Sequence, residues 1–169
     1  MAELEEAVEP ILAGPERKSH ALSQHDRQLT AYHEAGHAVV MRCMPQHDPI
    51  RKVSILPRGG KIGRTPSLLR PTAHTTRTTL EAHLTSALGG RVAEELVFGE
   101  TSTRSQDDIA TATSIAHEMV ERFGMCERLG KVALGYDRPY PLSDETAEII
   151  DDEVTLLIER RTRVLARSC

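Results

Sequence analysis

No apolar run in this chain reaches the length needed to cross a bilayer, and its first residues lack the apolar stretch of a secretory leader. The expectation is a chain that is soluble as given, with any membrane association supplied by a partner or a further segment. Cysteine is scarce. Cys43, Cys126 and Cys169 form no C-x-x-C pair, and an odd number suits a reducing compartment better than a disulfide scaffold. There is no excess of one charge either: the formal net charge is −4, which gives no electrostatic reason to invoke nucleic acid or an anionic membrane surface. A phosphate loop of the form G-x-x-x-x-G-K-[ST] is also missing, since Gly59-Gly60-Lys61-Ile62 does not supply it. Nucleotide binding by that route is excluded.

What is present suits one compact domain. At 169 residues, with 39% hydrophobic and 27% charged residues, the chain can bury a single core and is not of disordered composition. Met1 to Ala13 reads as a short acidic helix ending at Gly14-Pro15. Leu29, Tyr32, Gly36, Val39, Val40 and Cys43 recur at helical spacing, so Gln28 to Met44 reads as an amphipathic helix. Ser23 and Asp26 offer a capping pattern upstream of it and Pro45 a stop downstream, and Cys43 is expected in the core. Lys52 to Leu56 has strand character, Pro57-Arg58-Gly59-Gly60 reads as a turn, and a second extended segment follows near Ile62 to Thr65. Residues 66–76 are expected to be loop. Helices are expected over Arg77 to Leu88, Arg91 to Phe98, Gln106 to Phe123 and Asp144 to about Ala166. Ser143 is placed to cap the last of these, and Gly124 to close the one before it. The predicted class is mainly α, with a small β-element beside the Gln28–Met44 helix.

That helix carries His33-Glu34-Ala35-Gly36-His37, an H-E-x-x-H pattern. Residues four apart share a helix face, so both imidazoles can converge on one metal ion. Zinc accepts neutral imidazole, and a catalytic zinc keeps one coordination position open. Glu34, one residue after the first histidine, stands beside that position, where a carboxylate can take a proton from water and pass it to a leaving amine.

A catalytic zinc usually has three protein ligands. Two carboxylate pairs are candidates for the third, Glu94 with Glu95 and Asp107 with Asp108. Ser105 and Asp108, followed by Ile109, Ala112, Ile115 and Ala116, read as a capped helix start, where acidic residues also complement the helix dipole. Spacing alone leaves both pairs open.

Several ordered stretches resemble the peptidase domain of the FtsH-type AAA proteases, the ATP-dependent zinc metalloproteases. They are Leu12 to Lys18, Ala31 to Ala38, Lys52 to Gly59, Leu88 to Leu96, Asp108-Ile109 with Ala112-Thr113, Glu118 to Met125, Ser143 to Ala147 and Ile150 to Val154. The resemblance implies that Asp108 is the third zinc ligand, with Asp107 standing where the family usually has asparagine. Glu94 and Glu95 then become residues near the site or structural ones. It further implies a metalloendopeptidase that cleaves unfolded polypeptide, with His33, His37 and Asp108 on Zn2+ and Glu34 as general base. By the same resemblance it would work with an AAA ATPase module in cis or in trans and as a homo-hexamer, its peptidase facing the cytosol. Residues 1–18 resemble the end of that ATPase module and residues 19–169 a C-terminally shortened peptidase domain. The chain departs from the family at Arg104, which replaces a glycine, at Pro66 in an extended segment, and in a short stretch between Tyr136 and Ser143. These departures motivate a second reading, an inactive peptidase-like assembly module.

Overall fold

The computed structural model describes residues 23–47, 50, 52–58, 61–64, 74–135 and 141–168. Helix α1 spans Gln24–Cys43. The Ser23 hydroxyl accepts the Asp26 amide at 3.1 Å and donates to the Asp26 carboxylate at 2.6 Å, so one side chain caps the first turn. At the far end Met44 is extended (φ −105°, ψ 106°), as befits the residue before Pro45. A two-stranded antiparallel hairpin follows, β1 (Ser54–Arg58) and β2 (Lys61–Arg64), with Ser54 opposite Arg64 and Arg58 opposite Lys61. The turn expected to begin at Pro57 begins later, because Pro57 lies within β1 opposite Ile62. Either strand of a two-stranded hairpin is an edge, and an edge tolerates a residue without an amide donor. The hairpin packs against α1.

Helix α2, Arg77–Phe98, starts at a Thr76 cap and ends at Gly99, whose φ of 70° is the left-handed conformation that closes helices. It runs unbroken through Gly89-Gly90, where the sequence suggested two separate helices. Those glycines permit close approach and do not break the helix. A Cβ on Gly89 would lie 2.9 Å from the Gly36 carbonyl oxygen, and one on Gly36 would collide with the Gly89 oxygen. Helices α1 and α2 thus cross backbone to backbone.

A 3-10 turn, Thr103–Ser105, leads into α3, Gln106–His117. The Ser105 hydroxyl does not cap α3, as its position suggested. It donates instead to the Ser102 carbonyl at 3.0 Å and closes the preceding turn. Beyond His117 the helix widens into a π-helical turn, Glu118–Arg122, which Gly124 (φ 58°) terminates. Helix α4, Asp144–Ser168, is capped by the Ser143 hydroxyl on the Thr146 amide at 3.2 Å.

Helix α2 is central, and α1, α3 and α4 each pack on it. The core joins Leu84, Leu88 and Val92 of α2 with Ala112 and Ala116 of α3, and Ile150, Val154 and Leu165 of α4. Full burial of a side chain such as Leu84 contributes about 1.5–3 kcal/mol. From α1 only Val40 joins this cluster as a buried residue. Tyr32 (48%) and Val39 (53%) are exposed and Cys43 lies at the surface, which corrects the apolar stripe and the core thiol expected from spacing. The face of α1 turned inwards is Thr30, His33, Glu34, His37 and Val40. His33 and His37 are buried against partners on α2 and α3, and Glu34 against Arg104 of the 3-10 turn. The expected helix over Met1 to Ala13, the boundary near residue 18 and Pro66 lie outside the described residues.

Candidate metal centre

Two turns of α1 meet the first turn of α3 beneath the middle of α2. His33 and His37 are 2% and 7% exposed, and their Nε2 atoms lie 3.1 Å apart. Asp108 Oδ2 is 3.0 Å from His33 Nε2 and 3.4 Å from His37 Nε2. One ligand atom from each of the three residues falls within 4.8 Å of the others.

The opposite edge of each ring is occupied. His37 Nδ1 lies 2.7 Å from the Ser86 carbonyl oxygen of α2, which can only accept, so Nδ1 carries the proton. His33 Nδ1 lies 2.6 Å from Glu94 Oε1, and Glu94 is wholly buried. The second oxygen of Glu94 accepts the Ser102 amide at 2.7 Å. With both Nδ1 protons committed, the rings in their neutral form present their Nε2 lone pairs to each other and to a carboxylate oxygen, while a protonated Nε2 donates to that carboxylate. Three acceptors converging in a buried space call for a cation. Two imidazole nitrogens and one carboxylate oxygen are ligand types that zinc takes in catalytic sites, and outer partners at the far ring nitrogen are what orient such ligands.

Electrostatics agree with the geometry. Burial disfavours the charged form of His37, yet the hydrogen bonds to Asp108 and the Ser86 carbonyl, with the charges of Asp108 and Glu34, outweigh it and raise the imidazole above its ordinary value. Burial likewise works against an ionised Asp108, but bonding to His33 and His37 holds its carboxyl well below the usual carboxylate range. Each shift reports a site that favours positive charge beside the carboxylate.

Glu34 is 4% exposed, and its Oε1 is 2.5 Å from Nη2 of Arg104. Glu95 stands apart from the centre, in an ion pair with Arg91 at 3.3 Å. Asp107 is exposed at the start of α3, its carbonyl bonded to the Thr111 hydroxyl. Two contributors carry no sequence signal as a pattern. Ser86 acts through a backbone carbonyl, which any residue possesses. Gly90 leaves room for the His33 ring, since a Cβ there would lie 2.6 Å from its Nε2. Arg104 stood out only as an unusual residue at its position.

Known proteins are similar to this sequence. It is 44% identical to an ATP-dependent zinc metalloprotease FtsH of Rubrobacter xylanophilus, over 94% of this chain and 26% of that protein. A Synechococcus protein of the same name is 45% identical over 94% of this chain and 27% of its own length. An FtsH 3 of Synechocystis is 42% identical over 95% and 29%. The chain therefore spans under a third of the length of these relatives. The family model of peptidase family M41 matches residues 20–167, a span that contains α1, α2, α3 and every residue of the centre, and the chain belongs to that family.

Proposed function

We propose that this chain is a zinc metalloendopeptidase domain acting on unfolded polypeptide, with His33, His37 and Asp108 as the zinc ligands and Glu34 as the general base. The reading rests on one observation above all: two imidazole lone pairs and a carboxylate oxygen converge while the outer ring nitrogens are held by Glu94 and the Ser86 carbonyl. Membership of peptidase family M41 and the relatives' common name, ATP-dependent zinc metalloprotease, support it. A zinc ion in such a centre supplies Lewis acidity, polarising a carbonyl and making water a nucleophile near neutral pH.

The protein's own part is positioning and proton transfer. The Glu34 carboxylate takes a proton from the attacking water as the water oxygen bonds to the peptide carbonyl carbon. It returns that proton to the departing nitrogen as the C–N bond breaks, leaving a carboxylic acid and an amine, which become carboxylate and ammonium once the acid's proton passes to the amine. Glu94 and the Ser86 carbonyl keep the two rings in one tautomer and one orientation throughout.

The same reading extends to the assembly. Residues 1–18 would end an AAA ATPase module and residues 19–169 form the peptidase unit, joined to that ATPase in cis or in trans. Six copies would enclose a shared chamber on the cytosolic side of a membrane.

Metal analysis paired with cleavage of casein tests the proposal. Purified protein is expected to carry near one zinc per chain. Glu34→Gln should retain the metal while cleavage falls by about 10²–10⁴-fold, the usual contribution of a positioned base. Zinc-loaded protein that leaves casein intact, or a Glu34→Gln variant of unchanged rate, would refute it.

A further inference from the structure

Arg104 lies on the 3-10 turn Thr103–Ser105, which hands the chain to the Asp108 helix, and its Nη2 is 2.5 Å from Glu34 Oε1. The two side chains are 17% and 5% exposed, so the pair is largely shielded from water, where a charge-assisted hydrogen bond is stronger than at a surface. The guanidinium leaves one donor unsatisfied to hold this position. Arg104 Nε is buried without a hydrogen-bond partner, and such a group persists where another interaction outweighs it. Swinging outwards would hydrate Nε, and the bond to Glu34 opposes that swing.

The turn itself is anchored. The Arg104 amide donates to the Ser102 hydroxyl at 3.3 Å, the Ser105 hydroxyl donates to the Ser102 carbonyl at 3.0 Å, and the Ser102 amide donates to Glu94 at 2.7 Å. Glu94 in turn holds His33. Arg104 therefore springs from the same short segment that links the support of the first histidine to the helix of Asp108.

We propose that Arg104 is a positioning residue for Glu34: its guanidinium fixes the carboxylate in a single orientation relative to His33, His37 and Asp108, so that the proton-transfer group is set by the turn before α3 and not by α1 alone. This rests on the peptidase reading above. A residue that acted only by its charge would be replaced in full by lysine, which keeps the charge but not the planar guanidinium. A positioning residue affects turnover, acts only when Glu34 is there to be positioned, and leaves metal and substrate binding intact.

The test combines Arg104→Ala and Arg104→Lys, each in the wild-type and the Glu34→Gln background. Arg104→Ala should lower kcat by up to about a hundredfold, the scale of effect that misplacing a reacting group produces, with KM changed less than about twofold. Zinc content should stay near that of wild type, and Arg104→Lys should recover part of the loss. In the Glu34→Gln background Arg104→Ala should cause no further loss, because the two residues act as one unit. An unchanged kcat, a rise in KM alone, loss of zinc, or additive losses in the double variant would each overturn the proposal. Arginine side-chain NMR of the metal-free protein gives a readout without turnover. One slowly rotating guanidinium signal should be present and should vanish in Glu34→Ala, and its absence from wild type would refute the clamp. If zinc-loaded wild type cleaves nothing while that signal is present, the peptidase reading fails and the clamp stands.

Discussion

His37 sits under opposing demands that set how the centre responds to pH. Its raised pKa and the lowered pKa of Asp108 describe a pair that, without metal, prefers imidazolium beside carboxylate. The stability contributed by His37 is fully present below the ordinary imidazole value and is lost as pH rises through the raised one. That from Asp108 is present above the ordinary carboxyl value and is lost as pH falls through the depressed one. Metal-free protein should thus be most stable between roughly pH 4 and 6.5, the ordinary values of the two groups. Zinc reverses the slope, since its ligands must give up their protons. Thermal melts at about pH 6 and 8 should show Tm falling with pH in chelator and rising with pH in excess zinc; parallel slopes would contradict the linkage. At this scale the sequence was partly legible. His33, Glu34 and His37 stand in a pattern whose spacing carries its chemistry. Glu94 and Glu95 could not be told apart by type, because what separates them is burial against His33 in one case and exposure beside Arg91 in the other.

At the scale of elements, α1 shows where periodicity misled. Its apolar residues recur at helical spacing, yet Tyr32 and Val39 face outwards while two histidines and a glutamate face in. Apolar periodicity locates a buried face only when hydrophobic burial decides which face is buried. Here a bonded polar network decides it. The helix itself, its serine cap and its stop before Pro45 were all readable, because these are local. The unbroken course of α2 was not, because Gly89 and Gly90 answer to a neighbouring helix and not to their own. Gly90→Ala tests this. Alanine favours helix over glycine by about 1 kcal/mol, but its methyl would press on the His33 ring. Circular dichroism should show undiminished helicity, while competition against a chelator should show zinc affinity reduced at least about tenfold, as for other changes that disturb ligand orientation. Unaltered affinity would mean the ring has room that the contact denies.

Taken as a whole, helix α1 is held to the other described elements both by close backbone packing and by its buried polar side chains. Backbone contact at Gly36 and Gly89 ties α1 to α2, and the approach of His33 and His37 to Asp108 ties α1 to α3. A bound ion should therefore stabilise the whole fold and not the site alone. Free zinc at a hundred times its Kd adds about 2.7 kcal/mol, which for a domain of this size raises Tm by roughly 5–10 °C. Calorimetry should record such a rise for wild type and little or none for Asp108→Ala, and equal rises would remove Asp108 from the ligand set. The mainly helical class and the order of helices were legible from local patterns. That α3 docks its first turn against α1 was not, since it depends on packing between segments far apart in the chain.

Glu94 adds a constraint of another kind. Fully enclosed, it gives one oxygen to His33 and the other to the Ser102 amide. A tilt of the His33 ring must then be matched by movement of Ser102, and with it the segment that carries Arg104 and Asp108. His33, the Glu34–Arg104 pair and Asp108 are thus linked through Glu94 and Ser102 like teeth on one wheel. Replacing Glu94 should therefore disturb His33, Arg104 and Asp108 together, where replacing any one of those three disturbs mainly itself.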